Sequence, residues 1–173
     1  PMDSPPPPDL ESRLARVRLL LLDVDGVLTD GGITYASDGA ESKTFHVRDG
    51  VGLRLWREAG NTAAIITGRA SVAVERRAAE LGITVVRQGV GEKAGVGWEE
   101  TAAIGDDLPD IPLVTRAAAG FAVADACAEL RAAATIVTAA PGGRGAVREA
   151  VERLLRARGA WDDAVARYRG GVA

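Results

Sequence analysis

Four consecutive leucines, Leu19–Leu22, run directly into the sequence Asp23-Val24-Asp25-Gly26 near the start of the chain. This apolar run is too short for a membrane span and ends at a turn, so we interpret it as a buried strand of a parallel sheet. In open α/β sheets, ligands bind just beyond the carboxyl ends of the strands. Because Asp23 and Asp25 are two residues apart at such an end, their side chains can share one side of the chain. We therefore expect chemistry at this pair.

A second apolar strand followed by acids occurs later in the chain. Residues 102–104 are apolar, and the carboxylates of Asp106, Asp107 and Asp110 follow them. If the two strands are neighbours, four of these acidic groups converge, and like charges about 4 Å apart repel by about 4 kcal/mol at an effective dielectric constant of about 20. An isolated aspartate is more often a solvated loop residue or a helix N-cap. Two such patterns together favour a cation site, and hard oxygen ligands suit Mg²⁺.

Strand and helix patterns alternate along the rest of the chain. The strand patterns lie at 17–23, 62–67, 83–86, 101–104, 121–123 and 135–137. The helical patterns lie at 50–58, 71–81, 108–116, 126–134, 145–158 and 160–169. This alternation predicts an α/β fold with a doubly wound, mostly parallel sheet. A turn signal, Ser37-Asp38-Gly39, separates two β-prone runs and predicts a β-hairpin flap over the site, with an edge hairpin of the main sheet as the alternative.

Composition divides the chain into three parts. We expect a disordered leader at 1–16, which opens with a proline-rich stretch, one domain at 17–159 that includes the flap at 30–48, and a C-terminal tail at 160–173. A net charge of −3 and 4% aromatic residues argue against nucleic-acid binding. The chain contains no apolar stretch of 18 residues, so no membrane span is predicted. A single cysteine excludes an intrachain disulfide and fits a reducing compartment, so we expect a cytoplasmic protein.

Four motifs resemble those of the haloacid dehalogenase (HAD) superfamily of phosphohydrolases. In motif order they are residues 23–30 (DVDGVLTD), residues 65–69 (IITGR), Lys93, and residues 105–110 (GDDLPD). Within the superfamily, three further segments resemble the 3-deoxy-D-manno-octulosonate 8-phosphate phosphatases. They are 29–32 (TDGG), 45–50 (FHVRDG) and 142–149 (GGRGAVRE). The resemblance implies an HAD-like Rossmannoid fold of the capless subclass, since the intervals between the motifs hold only the flap, one helix and one strand.

The resemblance also implies a role for each acid. Asp23 would attack phosphorus and form an aspartyl-phosphate, while Asp25 would protonate the leaving alkoxide and then take a proton from water. Magnesium would be held by the Asp23 carboxylate, the backbone carbonyl of Asp25 and Asp106. Asp107 and Asp110 would position ligands and waters.

Phosphate and substrate contacts are assigned in the same way. Thr67, Gly68 and Lys93 would hold the phosphoryl oxygens, with a helix N-cap as the alternative role for Thr67. The substrate carboxylate requires cations, and arginine matches a carboxylate with two parallel hydrogen bonds. Three arginines are candidates, Arg69 first and Arg144 next, followed by Arg48. For each of them a plain surface position is the alternative.

An uncapped site on a small substrate would be open to water, which weakens its electrostatics. Other subunits could close it, and the apolar flap residues Ile33, Tyr35 and Phe45 favour such assembly. The family resemblance implies a homotetramer in which flap and tail contact neighbouring subunits.

The function expected from these residues is magnesium-dependent hydrolysis of 3-deoxy-D-manno-octulosonate 8-phosphate to 3-deoxy-D-manno-octulosonate and phosphate. The nearest alternative is the same chemistry on 2-keto-3-deoxynononate 9-phosphate. A phosphosugar mutase would need a cap, whereas a phosphoprotein phosphatase would fit a capless site. A non-catalytic assembly module of a sugar-nucleotide synthetase is a fourth alternative, and the intact acids argue against it.

One interval is unusually short. Only residues 94–100 separate Lys93 from the strand pattern at 101–104, whereas a parallel crossover needs about a dozen residues. We hypothesise that a segment of about ten residues, present in the family, is absent here. Lys93 would then be held by a mobile segment.

Overall fold

The computed structural model of this chain describes residues 9–86 and 96–169. The strands, in chain order, are β1 Leu19–Leu22, β2 Thr34–Tyr35, β3 Glu41–Ser42, β4 Thr62–Ile66, β5 Thr84–Val86, β6 Thr101–Gly105, β7 Ala119–Ala122 and β8 Ile136–Val137. The α-helices are α1 Leu10–Arg16, α2 Val47–Glu58, α3 Val72–Leu81, α4 Ile111–Arg116, α5 Ala128–Ala133, α6 Ala146–Ala157 and α7 Trp161–Arg169. Two short 3₁₀-helices span Trp98–Glu100 and Leu108–Asp110.

The main sheet has six parallel strands in the order β5-β4-β1-β6-β7-β8. This arrangement confirms the predicted α/β fold. The leucines of β1 are at most 1% exposed although successive side chains point to opposite faces, so both faces of this central strand are covered. That double burial is why its sequence is continuously apolar rather than alternating.

Helices cover the sheet around this strand. Helix α6 packs against α1, α2 and α7, and buries Val147, Val151, Leu154 and Leu155. On the other half of the sheet, α4 packs on β6, β7 and α5. None of the helices within the described residues is long and apolar enough to cross a membrane.

Strands β2 and β3 form the flap, a two-stranded antiparallel hairpin separate from the main sheet. Its turn contains Gly39, with φ of +84°, and Asp38, whose side chain accepts a hydrogen bond from the Ala40 amide at 3.0 Å. The hairpin prediction is therefore confirmed, and the alternative of an edge hairpin of the main sheet is wrong. Of the flap residues expected to need a partner, Ile33 and Tyr35 are exposed, whereas Phe45 packs against the core.

The prediction of a disordered leader over 1–16 is wrong for residues 10–16, which form α1. The side chain of Asp9 caps this helix by accepting a hydrogen bond from the Ser12 amide, and Leu14 is fully buried. Residues 1–8 lie outside the described residues. So do residues 87–95, and the hypothesis of an absent segment beyond Lys93 therefore stays a prediction.

Candidate active site

The acids that follow β1 and β6 meet at the carboxyl edge of the sheet. Leu22 is paired with Ile104, and the amide of Asp23 donates a hydrogen bond to the Ile104 carbonyl at 3.2 Å. Among the described residues, carboxylate oxygens of Asp23, Asp106 and Asp110 lie within 4.8 Å of one another. Three of the acids expected at this edge therefore meet, rather than four, and the side chain of Asp110 is the third member of the cluster.

A reciprocal capping arrangement fixes Asp110. Its Oδ2 accepts hydrogen bonds from the amides of Asp106 and Asp107 at 2.9 and 3.3 Å, while the Asp107 side chain caps the same 3₁₀ turn. A carboxylate held by two backbone amides has little freedom to rotate. Asp110 thereby orients the loop that carries Asp106.

Burial and mutual repulsion disfavour the charged forms of these acids. Burial, followed by the charge of Asp110, raises the pKa of Asp23 to about 7. The same two causes raise the pKa of Asp106 to about 7, and burial raises that of Asp110. A cation among the three would reverse this effect by favouring ionisation. The all-oxygen donor set therefore fits Mg²⁺.

Two glycines allow the loops around the cluster to approach closely. Gly26 has φ of +95°, and a Cβ there would lie 2.0 Å from Oδ2 of Asp106. A Cβ on Gly142 would lie 1.7 Å from the carbonyl oxygen of Gly26. Asp125 holds this second glycine by accepting a hydrogen bond from its amide at 2.9 Å. The glycine-rich segment at 142–145 is thus packed directly on the loop that follows β1.

The flap contributes charged groups to the other side of the site. Lys43 Nζ lies 2.5 Å from Oδ1 of Asp25 and 3.0 Å from Oε1 of Glu41, and its side chain is 1% exposed. Arg69 reaches the same carboxylates, with Nε 3.8 Å from Asp25 Oδ2 and Nη2 3.4 Å from Glu41 Oε2. Its Nη2 also lies 3.2 Å from the Tyr35 hydroxyl. Asp25 therefore faces the flap, apart from the three-carboxylate cluster.

The residues expected to bind phosphate are only partly described. Thr67 follows β4, is buried, and its Oγ1 accepts a hydrogen bond from the Arg69 amide at 3.2 Å. The N-cap of α3 is Ser71, so the alternative role of Thr67 as a helix N-cap is wrong. Gly68 joins these two segments, and a Cβ there would meet nothing within 4 Å. Lys93 lies outside the described residues.

The three candidate arginines lie in different settings. Arg69 is in the charged network with Asp25. Arg144 is exposed, with Nη2 3.9 Å from Oδ2 of Asp30 in the loop after β1. Arg48 is exposed in the first turn of α2. The structure thus brings one of the three directly to a predicted catalytic carboxylate.

Sequence reasoning missed Lys43 and Glu41. Both lie on the flap two residues apart, a spacing that places side chains on one face of a strand. Lys43 is also one of only two lysines in the chain. These signals were present, but only the folded hairpin shows that this face meets Asp25.

A cavity of about 400 Å³ lies at the opposite, amino-terminal edge of the sheet, lined by residues including Arg13, Arg16 and Thr135. It contains none of the carboxylates described above. The strand ends that carry Asp23 and Asp106 remain the edge where ligands bind in sheets of this kind.

Comparisons with known proteins identify the family of this chain. Residues 87–149 match the family of haloacid dehalogenase-like hydrolases. The chain is 44% identical over 166 residues to 3-deoxy-D-manno-octulosonate 8-phosphate phosphatase KdsC of Escherichia coli (strain B / BL21-DE3), covering 90% of this chain and 88% of that protein.

Solved structures give the same result. The crystal structure of 3-deoxy-D-manno-octulosonate 8-phosphate phosphatase from Moraxella catarrhalis, in complex with magnesium ion, phosphate ion and a KDO molecule, is 40% identical, with a TM-score of 0.88. The match covers 92% of this chain and 97% of the Moraxella catarrhalis chain. The cobalt-bound deoxy-D-mannose-octulosonate 8-phosphate phosphatase (YrbI) from Haemophilus influenzae is 38% identical, with a TM-score of 0.82, covering 86% and 93% of the two chains. On these grounds the chain belongs to the haloacid dehalogenase-like hydrolases and, within them, to the KdsC family of phosphatases.

Proposed function

We propose that this chain hydrolyses 3-deoxy-D-manno-octulosonate 8-phosphate to 3-deoxy-D-manno-octulosonate and phosphate. The observation that carries the proposal is the meeting of Asp23, Asp106 and Asp110 at the carboxyl edge of the sheet. Its support is the identity of 44% to the Escherichia coli phosphatase of that name over nine-tenths of the chain. The protein is a phosphatase by family, and the choice of substrate is the proposal.

Asp23 is the nucleophile of the proposed reaction. Its carboxylate attacks phosphorus, the bond to the sugar oxygen breaks, and an aspartyl-phosphate forms. Asp25 gives its proton to the departing alkoxide and then takes one from the water that cleaves the intermediate. Thr67 and Gly68 hold the phosphoryl oxygens together with Lys93.

Magnesium fits the carboxylate cluster described above. Of that cluster, Asp23 and Asp106 would hold it, together with the backbone carbonyl of Asp25 that the family resemblance implies. When bound, it neutralises the negative charge of the phosphoryl group and of the nucleophile. Asp110 keeps the Asp106 loop in place through its two amide hydrogen bonds.

The carboxylate of the sugar acid is recognised by arginine. Arg69 is the first candidate because it already lies beside Asp25 and Glu41. Arg144 is placed to contribute from the glycine-rich loop, and Arg48 from the base of the flap. A phosphate ester without the carboxylate would lose these contacts.

The assembled form is a homotetramer in this proposal, and it acts in the cytoplasm. The exposed Ile33 and Tyr35 of the flap, 46% and 62% exposed, support burial against a neighbouring subunit. Tyr168 of α7 is 44% exposed and supports a similar role for the tail. Size-exclusion chromatography with light scattering would test the subunit number, and a monomer at all concentrations would contradict it.

The substrate is tested by phosphate release from a panel of phosphate esters, with and without magnesium. The panel contains 3-deoxy-D-manno-octulosonate 8-phosphate, 2-keto-3-deoxynononate 9-phosphate, a neutral sugar phosphate and a phosphoserine peptide. We expect the highest kcat/KM with the eight-carbon acid. Preference for the nine-carbon acid or the peptide would refute the proposed substrate while leaving the phosphatase assignment intact.

A further inference from the structure

Lys43 is the most deeply buried charged group on the flap. Its side chain is 1% exposed and lies between two carboxylates, Asp25 at 2.5 Å and Glu41 at 3.0 Å. Burying an ammonium group is costly unless it is paired and hydrogen-bonded. The two carboxylates supply that pairing, and the hydrogen bond to Asp25 holds the ammonium group in place.

The two partners of Lys43 belong to different parts of the fold. Glu41 is on β3 of the flap, whereas Asp25 is in the loop that follows β1 of the main sheet. Glu41 is also paired with Arg69, which follows β4. The ammonium of Lys43 therefore links the flap to the loop that carries the proposed acid–base group.

The contacts of Lys43 and Arg69 distinguish the two oxygens of Asp25. Lys43 occupies Oδ1 at hydrogen-bond distance. Within residues 9–86 and 96–169, the cationic atom paired with Oδ2 is Nε of Arg69 at 3.8 Å, too far for a hydrogen bond. Among the described residues, Oδ1 is thus anchored by a hydrogen bond, whereas Oδ2 has no side chain at hydrogen-bond distance and is free to exchange a proton.

We propose that Lys43 is a positioning residue that anchors Oδ1 of Asp25, so that Oδ2 gives the proton to the leaving alkoxide. The proposal rests on the proposed role of Asp25 but not on which sugar acid is the substrate. As the bond from phosphorus to the leaving oxygen breaks, Asp23 takes up the phosphoryl group and the proton on Oδ2 passes to that oxygen. Without Lys43 the Asp25 carboxyl can rotate, and displacements of about 1 Å can cost about 100-fold in rate.

The test compares two leaving groups. A sugar alkoxide needs protonation as it departs, whereas p-nitrophenolate departs without it, and kcat/KM reports the steps up to the first irreversible one. We expect Lys43→Met to lower kcat/KM for the sugar-acid phosphate at least about tenfold more than for p-nitrophenyl phosphate. Lys43→Arg, which keeps the charge, should recover part of the difference. The control is Thr44→Met, at the adjacent exposed position of the flap.

Equal losses with both leaving groups would mean that Lys43 only supports the flap, and would overturn the proposal. A rise in KM for the sugar-acid phosphate with kcat unchanged would make Lys43 a substrate ligand, and would also overturn it. If wild-type enzyme fails with every sugar-acid phosphate, the proposed function is refuted instead. The leaving-group comparison is then made with another alkyl phosphate that the enzyme hydrolyses. Thermal melting of each variant checks whether the flap substitutions leave the domain folded.

Discussion

The carboxylate of Asp49 in α2 accepts a hydrogen bond from the backbone amide of Arg148 in α6 at 2.8 Å. Its second oxygen accepts one from the Gly145 amide at 3.2 Å. Asp49 is 1% exposed, and it satisfies amides at the first turn of α6 that have no partner within the helix. A side chain from one helix thus caps another that lies about a hundred residues later in the chain.

Replacement of Asp49 is therefore expected to destabilise the domain. Asp49→Ala leaves buried amides unpaired and should lower the free energy of unfolding by about 1–3 kcal/mol. Asp49→Asn can still accept hydrogen bonds and should cost less. Urea unfolding measures both, with Asp38→Ala at the exposed flap turn as the control. Equal stability of Asp49→Ala and wild type would contradict this role.

Replacement of the nucleophile should remove activity without affecting the fold. Asp23→Asn keeps the size of the side chain but cannot form the aspartyl-phosphate, so we expect kcat to fall by about 10⁴-fold or more. Phosphate release and circular dichroism measure the two effects. The matched control is Asp162→Asn on α7, which should behave as wild type. Retained turnover by Asp23→Asn would reject the nucleophile assignment.

The stability of the metal-free protein should fall as the pH rises from about 4 to about 7. The pKa values of Asp23 and Asp106 are about 7 in the folded chain, against an ordinary value of 3.8. Between these values the folded state binds more protons than the unfolded state, so raising the pH favours unfolding. Thermal melting in a chelator across this range measures the trend, which should be weaker in Asp106→Asn.

Magnesium should reverse that trend. It binds ionised carboxylates, so its stabilising effect should be larger at about pH 8 than at about pH 5. At a hundred times its dissociation constant, a ligand adds about 2.7 kcal/mol to the free energy of unfolding. Differential scanning fluorimetry with and without magnesium measures the effect. Two outcomes would argue against binding at this cluster. One is an equal magnesium-induced shift of the melting temperature at both pH values, and the other is a shift in Asp106→Asn as large as in the wild type.

Gly26 and Gly39 form a matched pair for testing the space beside Asp106. Both have positive φ, +95° and +84°, so alanine at either position costs about 1–2 kcal/mol of backbone strain. Only a Cβ on Gly26 would collide with Asp106, since a Cβ on Gly39 would meet nothing within 4 Å. We expect Gly26→Ala, but not Gly39→Ala, to raise the magnesium concentration for half-maximal activity by about tenfold or more. If both variants raised the magnesium requirement equally, backbone strain alone would account for the effect.

Arg69 and Arg76 provide the corresponding pair for the substrate carboxylate. Arg69 lies at the site, whereas Arg76 is exposed on α3 beside Glu80. Arg69→Ala should raise KM for the sugar-acid phosphate by about 10–100-fold, because a charged hydrogen-bonding partner is lost. It should affect a phosphate ester without a carboxylate less. Steady-state kinetics with both substrates would contradict the assignment if Arg69→Ala and Arg76→Ala behaved alike.

Local sequence determined the strands and the acids at their ends. The four leucines of β1 predict a doubly buried strand because burial on two faces removes any need for polar alternation. The strand pattern also predicts that Asp23 and Asp106 lie at the same edge of the sheet, because parallel strands end with their carboxyl ends at one edge. The helix α1 was also readable in principle, from Asp9 as its N-cap and Leu10 and Leu14 four residues apart. The proline-rich stretch before it led to the wrong prediction.

Contacts between distant segments were decided only by the tertiary structure. Nothing in the local pattern around Lys43 shows that the flap folds back onto Asp25, because hairpin periodicity sets which face a side chain occupies but not what that face meets. The same holds for Asp49, whose partners lie in α6, and for the Asp110 carboxylate as the third member of the cluster. The chain by itself determined its chemical groups and the edge at which they gather. The packing of flap, loops and helices decided which carboxylates converge and that Lys43 lies against Asp25.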